Sequence, residues 1–156
     1  MQQSFSSLGV PARIVGALAE RDIHTPFPIQ ERVLRDALAG RDVLAKAPTG
    51  SGKTLSFAIP VVERIDARDE RPAAVVLVPT RELATQVAGE IAAIAPSGIT
   101  VATVYGGVPL HAQAKRAQQN NGLWTQGGTK ADPLLNGVFG TDYGFGALRC
   151  AVDNLN

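Results

Sequence analysis

Ala47-Pro48-Thr49-Gly50-Ser51-Gly52-Lys53-Thr54 decides how this chain is read. A short apolar run, Asp42 to Ala47, precedes it and suits a buried strand. Leu55 to Val62 follows and suits the first turns of a helix. A glycine-rich turn between a strand and a helix is the context in which such a stretch binds phosphate. Gly50 and Gly52 open backbone conformations closed to larger residues. Successive N–H groups then converge on an anion, helped by the positive end of the helix that begins near Lys53. Lys53 reaches the β- and γ-phosphates as a point charge, and the Thr54 hydroxyl is placed to ligate Mg²⁺. Ala47 stands at the loop's first position, where the motif has glycine. The alternative is a Gly/Ser-rich turn that only caps a helix.

Outward from the loop, strands and helices alternate. Pro11 to Arg21 has Ile14, Val15, Leu18 and Ala19 on one face at helical spacing. Pro28 to Ala39 is a second helix, with Ile29, Val33, Leu34, Ala37 and Leu38 apolar and Gly40 as its stop. Pro72 to Pro79 is a continuously apolar run, expected as a strand buried on both faces. Thr80 is placed to cap the next helix, whose inward side is Leu83, Val87, Ile91 and Ile94. Ile99 to Tyr105 is a third strand, followed by Gly106-Gly107 and a polar helix over about Pro109 to Gln119. This alternation predicts an α/β domain with a parallel sheet flanked by helices. Its ligands are expected at the carboxyl ends of the strands.

The bulk numbers narrow the class. The chain has 156 residues, enough for one domain, with 5% aromatic and 19% charged residues and a net charge of +1. Any nucleic-acid contact must therefore be local rather than a product of overall charge. One cysteine, Cys150, excludes an internal disulfide and suits a reducing compartment. The start has no signal-peptide pattern, and no apolar run approaches the ~20 residues that span a bilayer. A cytoplasmic location is expected. His24 and His111 lack metal-ligand spacing.

Four blocks in order resemble the DEAD-box family of ATP-dependent RNA helicases. Pro26-Phe27-Pro28-Ile29-Gln30 is similar to the family's adenine-reading motif, with Phe5 at the spacing of its upstream aromatic. Ala47 to Thr54 is similar to its nucleotide loop, Pro79 to Gln86 to its first RNA-contacting motif, and Gly106-Gly107 to its glycine pair beside the RNA backbone. The resemblance implies an incomplete RecA-like P-loop domain over residues 1–119, taking ATP and Mg²⁺ as cofactors and RNA as partner. It implies ATP contacts from Phe5, Gln30, Ala47, Thr49, Gly50, Ser51, Gly52, Lys53 and Thr54. It also implies catalytic roles for Lys53 and Thr54, and RNA contacts from Pro79, Thr80, Arg81, Gly106 and Gly107. A Gln amide both donates and accepts, which suits the adenine edge; read alone, Gln30 is an ordinary residue of a helix start, and Phe5 a hydrophobic anchor. Arg81 read alone is a surface ion pair. Phe27 stands where the family usually has a small hydroxyl residue.

The resemblance ends near Gln119. The family's next RNA motif, its Asp-Glu-Ala-Asp strand, its Ser-Ala-Thr block and a second domain do not follow. All five asparagines and the only Trp and Cys lie beyond that point, without any Glu. Residues 120–156 are therefore expected to be a divergent, Gly/Asn-rich tail with little periodicity, unrelated to the family, as a frameshift or rearrangement would produce. In it, Leu148 to Asp153 is a short apolar run ending in an acid, and Asp153 is a candidate Mg²⁺ partner; a frayed terminus is the alternative. The lead function is ATP-dependent RNA unwinding by a chain that lacks the acidic motif. The second is a non-catalytic nucleotide- or RNA-binding module. With only three strands and a central one missing, the fragment is expected to be marginal unless the tail replaces that strand.

Overall fold

The structure is a computed structural model; it describes residues 3–66, 73–106, 122–127 and 150–153, the last two stretches by their backbone. Two compact units are distinguished. One comprises Met1–Arg64, Ala93–Pro96 and Leu148–Asn156, the other Ile65–Ala92 and Ser97–Ala147.

In the first unit a short 3-10 turn, Ser6–Leu8, leads into helix α1, Ala12–Ala19. Of the four residues expected on the apolar face of α1, Ile14 and Leu18 are buried, Val15 is half-buried and Ala19 is exposed. Helix α2 runs Pro28–Leu38 and stops where Gly40 takes a left-handed conformation, φ +83°. The N-terminal segment is pinned onto α2, because Arg35 Nη2 donates to Gln3 Oε1 at 3.0 Å and to Ser7 O at 3.2 Å. Strand β1, Val43–Lys46, precedes the loop, and helix α3, Lys53–Arg64, follows it. Helix α3 packs on α2, and Ala58, Ile59 and Val62 are buried. Each fully buried side chain of this size contributes roughly 1.5–3 kcal/mol, which offsets the ladder bond that Pro60 removes from inside α3.

In the second unit β2, Ala74–Val78, is followed by α4, Arg81–Ala92, and then by β3, Thr100–Tyr105. The stretch Gly122–Gly127 is a strand, β4, parallel to both β2 and β3 and lying between them. Cys150–Asp153 is a further strand, β5, paired in parallel with β1 in the first unit. The parallel sheet is as expected, but the strand count is not. Residues 120–156 supply two strands, and β4 is the middle strand of its three-stranded sheet. The helix expected over Pro109 to Gln119 lies outside the described residues, as does Gly107.

One expectation is corrected. The apolar run of β2 is not buried on both faces: four of its residues are half-buried and Leu77 is 66% exposed. Helix α4 packs on one face of this sheet, and among the described residues no second element packs on the other. β1 behaves similarly, with Leu44 82% exposed.

Candidate functional site

Residues 47–52 leave the carboxyl end of β1 and enter α3 at Lys53. Two left-handed residues make the turn, Gly50 at φ +78° and Gly52 at φ +81°. A Cβ at Gly50 would meet nothing within 4 Å, so the loop is open on that side. Gly52 is packed instead. A Cβ there would lie 2.6 Å from Phe27 Cδ2 and 2.6 Å from Gln30 Nε2. Any side chain at 52 would have to displace a ring and an amide.

Lys53 is buried, and its ammonium donates to Ala47 O and, at 2.8 Å, to Pro48 O. An ammonium has three donors, so one remains beyond the two the loop takes. Ser51 Oγ is buried without a hydrogen-bond partner. A buried hydroxyl left unpaired costs ~1–3 kcal/mol. An oxyanion in the loop would satisfy it together with the third N–H of Lys53. The residues present therefore fit a phosphate group. Thr54 is half-buried in the first turn of α3.

Gln30 is fully buried, at 0% exposure. Its Oε1 accepts from Phe27 N at 2.9 Å, and its Nε2 donates to Gly52 O at 2.8 Å. The amide thus ties the start of α2 to the end of the phosphate loop. Phe5 is also buried; its carbonyl accepts from Leu8 N and Val10 N, each at 3.1 Å, so it anchors the N-terminal turn. Phe27, by contrast, is 51% exposed. The sequence reading noticed Phe27 only as a departure from the family. The signal that marks it is a helix N-cap with no oxygen to offer, since that position strongly prefers Ser, Thr, Asp or Asn.

In the second unit, Val78 and Tyr105 end β2 and β3 opposite the same residue, Gly127 of β4. Pro79, Thr80 and Arg81 on one side and Gly106 on the other therefore leave one carboxyl edge of one sheet. They are two strand spacings apart, roughly 10 Å. Thr80 caps α4 as expected: its Oγ1 accepts from Leu83 N at 3.2 Å. Arg81 is exposed at the first position of the helix and makes no ion pair among the described residues. Around Gly106 a Cβ would meet nothing within 4 Å. In the first unit the β1–β5 register sets Lys46 opposite Asp153, so the acid stands at the end of the strand beside β1, one residue short of the loop.

A parallel strand, a loop that fits a phosphate and a helix opened by the loop lysine are the architecture of a RecA-like P-loop domain. Comparison with known proteins narrows it: residues 27–136 match the family model described as DEAD/DEAH box helicase, and the chain belongs to that family. The match runs past Gln119, where the motif resemblance ended. A sunflower (Helianthus annuus) protein named DEAD-box ATP-dependent RNA helicase 3 is 49% identical over 112 residues, covering 66% of this chain and 47% of its own length. The mitochondrial DEAD-box ATP-dependent RNA helicase 9 of Arabidopsis thaliana is 43% identical over 118 residues, covering 72% of this chain and 19% of its own. A crystal structure of a DEAD box protein from the hyperthermophile Methanococcus jannaschii superposes with a TM-score of 0.73 at 34% identity, covering 82% of this chain and 35% of that one. The chain thus spans less than half the length of these relatives. Among the described residues no helix is long and apolar enough to cross a membrane.

Proposed function

We propose that this chain is the nucleotide-binding part of an ATP-dependent RNA helicase. It holds ATP with Mg²⁺ at residues 47–54, and an RNA backbone along the carboxyl edge of the β2-β4-β3 sheet. The observation that carries the nucleotide assignment is the buried, unpaired Ser51 hydroxyl inside a loop that already holds the Lys53 ammonium. ATP with its cation supplies the transferable γ-phosphoryl group, and the protein contributes position and charge. Lys53, Ser51 and Thr54 face the phosphates and the cation. Ala47, Thr49, Gly50 and Gly52 shape the cradle. Gln30 and Phe5, both buried, shape the adenine side. Arg81 and the first-turn N–H groups of α4 take an RNA phosphate, with Pro79, Thr80, Gly106 and Gly107 beside the sugar–phosphate chain. Asp153 is assigned to the Mg²⁺ side on the strength of its register with Lys46. The expected cytoplasmic location stays part of this proposal, although the similar proteins include one named mitochondrial.

A second reading, nucleotide and RNA binding without turnover, is favoured by one feature of the sequence. No Asp-Glu pair occurs after residue 119. One experiment separates the two. ATP hydrolysis by the purified chain is measured with Mg²⁺, with and without single-stranded RNA, beside Lys53→Ala. RNA-stimulated turnover abolished by Lys53→Ala supports the enzyme. Binding that Lys53→Ala removes, without turnover, supports the module. Neither binding nor turnover rejects both.

A further inference from the structure

Phe27 is expensive where it stands. It occupies the N-cap of α2 without an oxygen for the free N–H groups of the first turn, and it exposes half of an aromatic ring. Local rules broken in this way are expected where function compensates. The compensation lies at Gly52. Phe27 N is held by Gln30 Oε1, Gln30 Nε2 holds Gly52 O, and the Phe27 ring lies against the Cα of Gly52. The three residues close a circuit, and ring and amide converge on the same face of the glycine.

That circuit fixes a peptide plane. The peptide is planar and trans, so the N–H of Lys53 points opposite to the C=O of Gly52. With Gly52 O turned to Gln30, the Lys53 N–H is turned away from Gln30. It is one of the N–H groups at the start of α3 that meet an anion. Gly52, at φ +81°, has no side chain of its own to restrict its rotation. Something must hold it.

We infer that Phe27 is a positioning residue for phosphate: its ring, seated on Gly52 beside the Gln30 amide, locks the 52–53 peptide so that the Lys53 N–H faces the bound phosphate. Phe27 touches neither phosphate nor base in this role. The inference rests on reading residues 47–54 as a phosphate site.

The test uses the full 156-residue chain and three ligands with Mg²⁺: ATP, ADP and inorganic tripolyphosphate, which has no base. Phe27→Thr restores an N-cap oxygen and removes the ring, so helix stability and loop bracing are driven in opposite directions. The expected result is a melting temperature equal to or above that of the wild type, with all three ligands bound roughly tenfold more weakly, equivalent to about 1.4 kcal/mol. Phe27→Tyr, which keeps the ring, retains wild-type binding. Unchanged affinities in Phe27→Thr overturn the inference, as does a loss confined to ATP and ADP, which would place the ring on the base. Melting temperature and affinity falling together in Phe27→Thr also overturn it, since that marks a merely structural role. Wild-type chain that binds no tripolyphosphate overturns the phosphate reading and the brace with it.

Discussion

At the scale of single residues, the polar atoms without partners are the most informative. Ser51 and Ser56 both bury a hydroxyl that has no partner among the described residues. One lies in the phosphate loop and the other in the body of α3. Ser56→Ala should therefore leave nucleotide binding intact and raise stability by about 1 kcal/mol, since it deletes an unsatisfied group rather than a contact. Thermal melting beside a nucleotide titration checks both halves. Gly52→Ala should do the reverse. Its Cβ would lie 2.6 Å from both the Phe27 ring and the Gln30 amide, at a backbone angle that L side chains rarely adopt. Calorimetry should show phosphate binding lost even where circular dichroism reports a folded chain. The loop itself was fully legible in the sequence, because glycine, lysine and threonine at fixed spacing encode it locally. Gln30 stood out in the sequence through the resemblance, but not as a brace between α2 and the loop. A side chain's partners across 22 positions of sequence are set by packing, not by its neighbours.

At the scale of elements, caps were legible and faces were not. Gly40 stops α2 and Thr80 opens α4, each by chemistry carried within the turn itself. Thr80→Ala should cost about 1 kcal/mol of stability, the usual value of an N-cap oxygen. It should also weaken RNA binding if Arg81 depends on an ordered first turn; a filter-binding assay with single-stranded RNA beside a melt measures the two effects together. The apolar run of β2 misled because continuity of Val and Leu states only that a strand is apolar, not that both of its faces have partners. Leu77 is the residue that shows the difference. β4 escaped notice, and the run that holds β5 was noticed for its acid but not as a strand, for a related reason. Gly122 to Gly127 alternates weakly and is bounded by glycines, and Cys150 to Asp153 is four residues long. Strand preference in such stretches is decided by what they pair with, and their partners lie far away in sequence.

At the scale of the molecule, residues 120–156 supply a strand to each sheet, β4 to one and β5 to the other. Removing residues 120–156 would take the shared partner from β2 and β3 and leave β1 unpaired. The 1–119 fragment should therefore melt less cooperatively than the full chain and elute as aggregate in size-exclusion chromatography. The proposed Mg²⁺ role of Asp153 belongs to the same segment. Asp153→Asn should raise the Mg²⁺ concentration needed to tighten ADP binding, read by titrating Mg²⁺ into a fluorescent-nucleotide complex, while affinity without the metal stays unchanged.

The pairing of β1 with β5 also has a temporal side. A ribosome adds ~5–20 residues per second. The strand that carries the phosphate loop is therefore finished on the order of ten seconds before its partner at residues 150–153 leaves the same machine. During that interval Leu44 and the edge of β1 are available to any other strand that passes. The window for misassembly closes only when residues 150–153 arrive, so the yield of native chain in a cell should depend on holding chaperones and on translation speed across codons 120–153 more than on any contact within the loop itself.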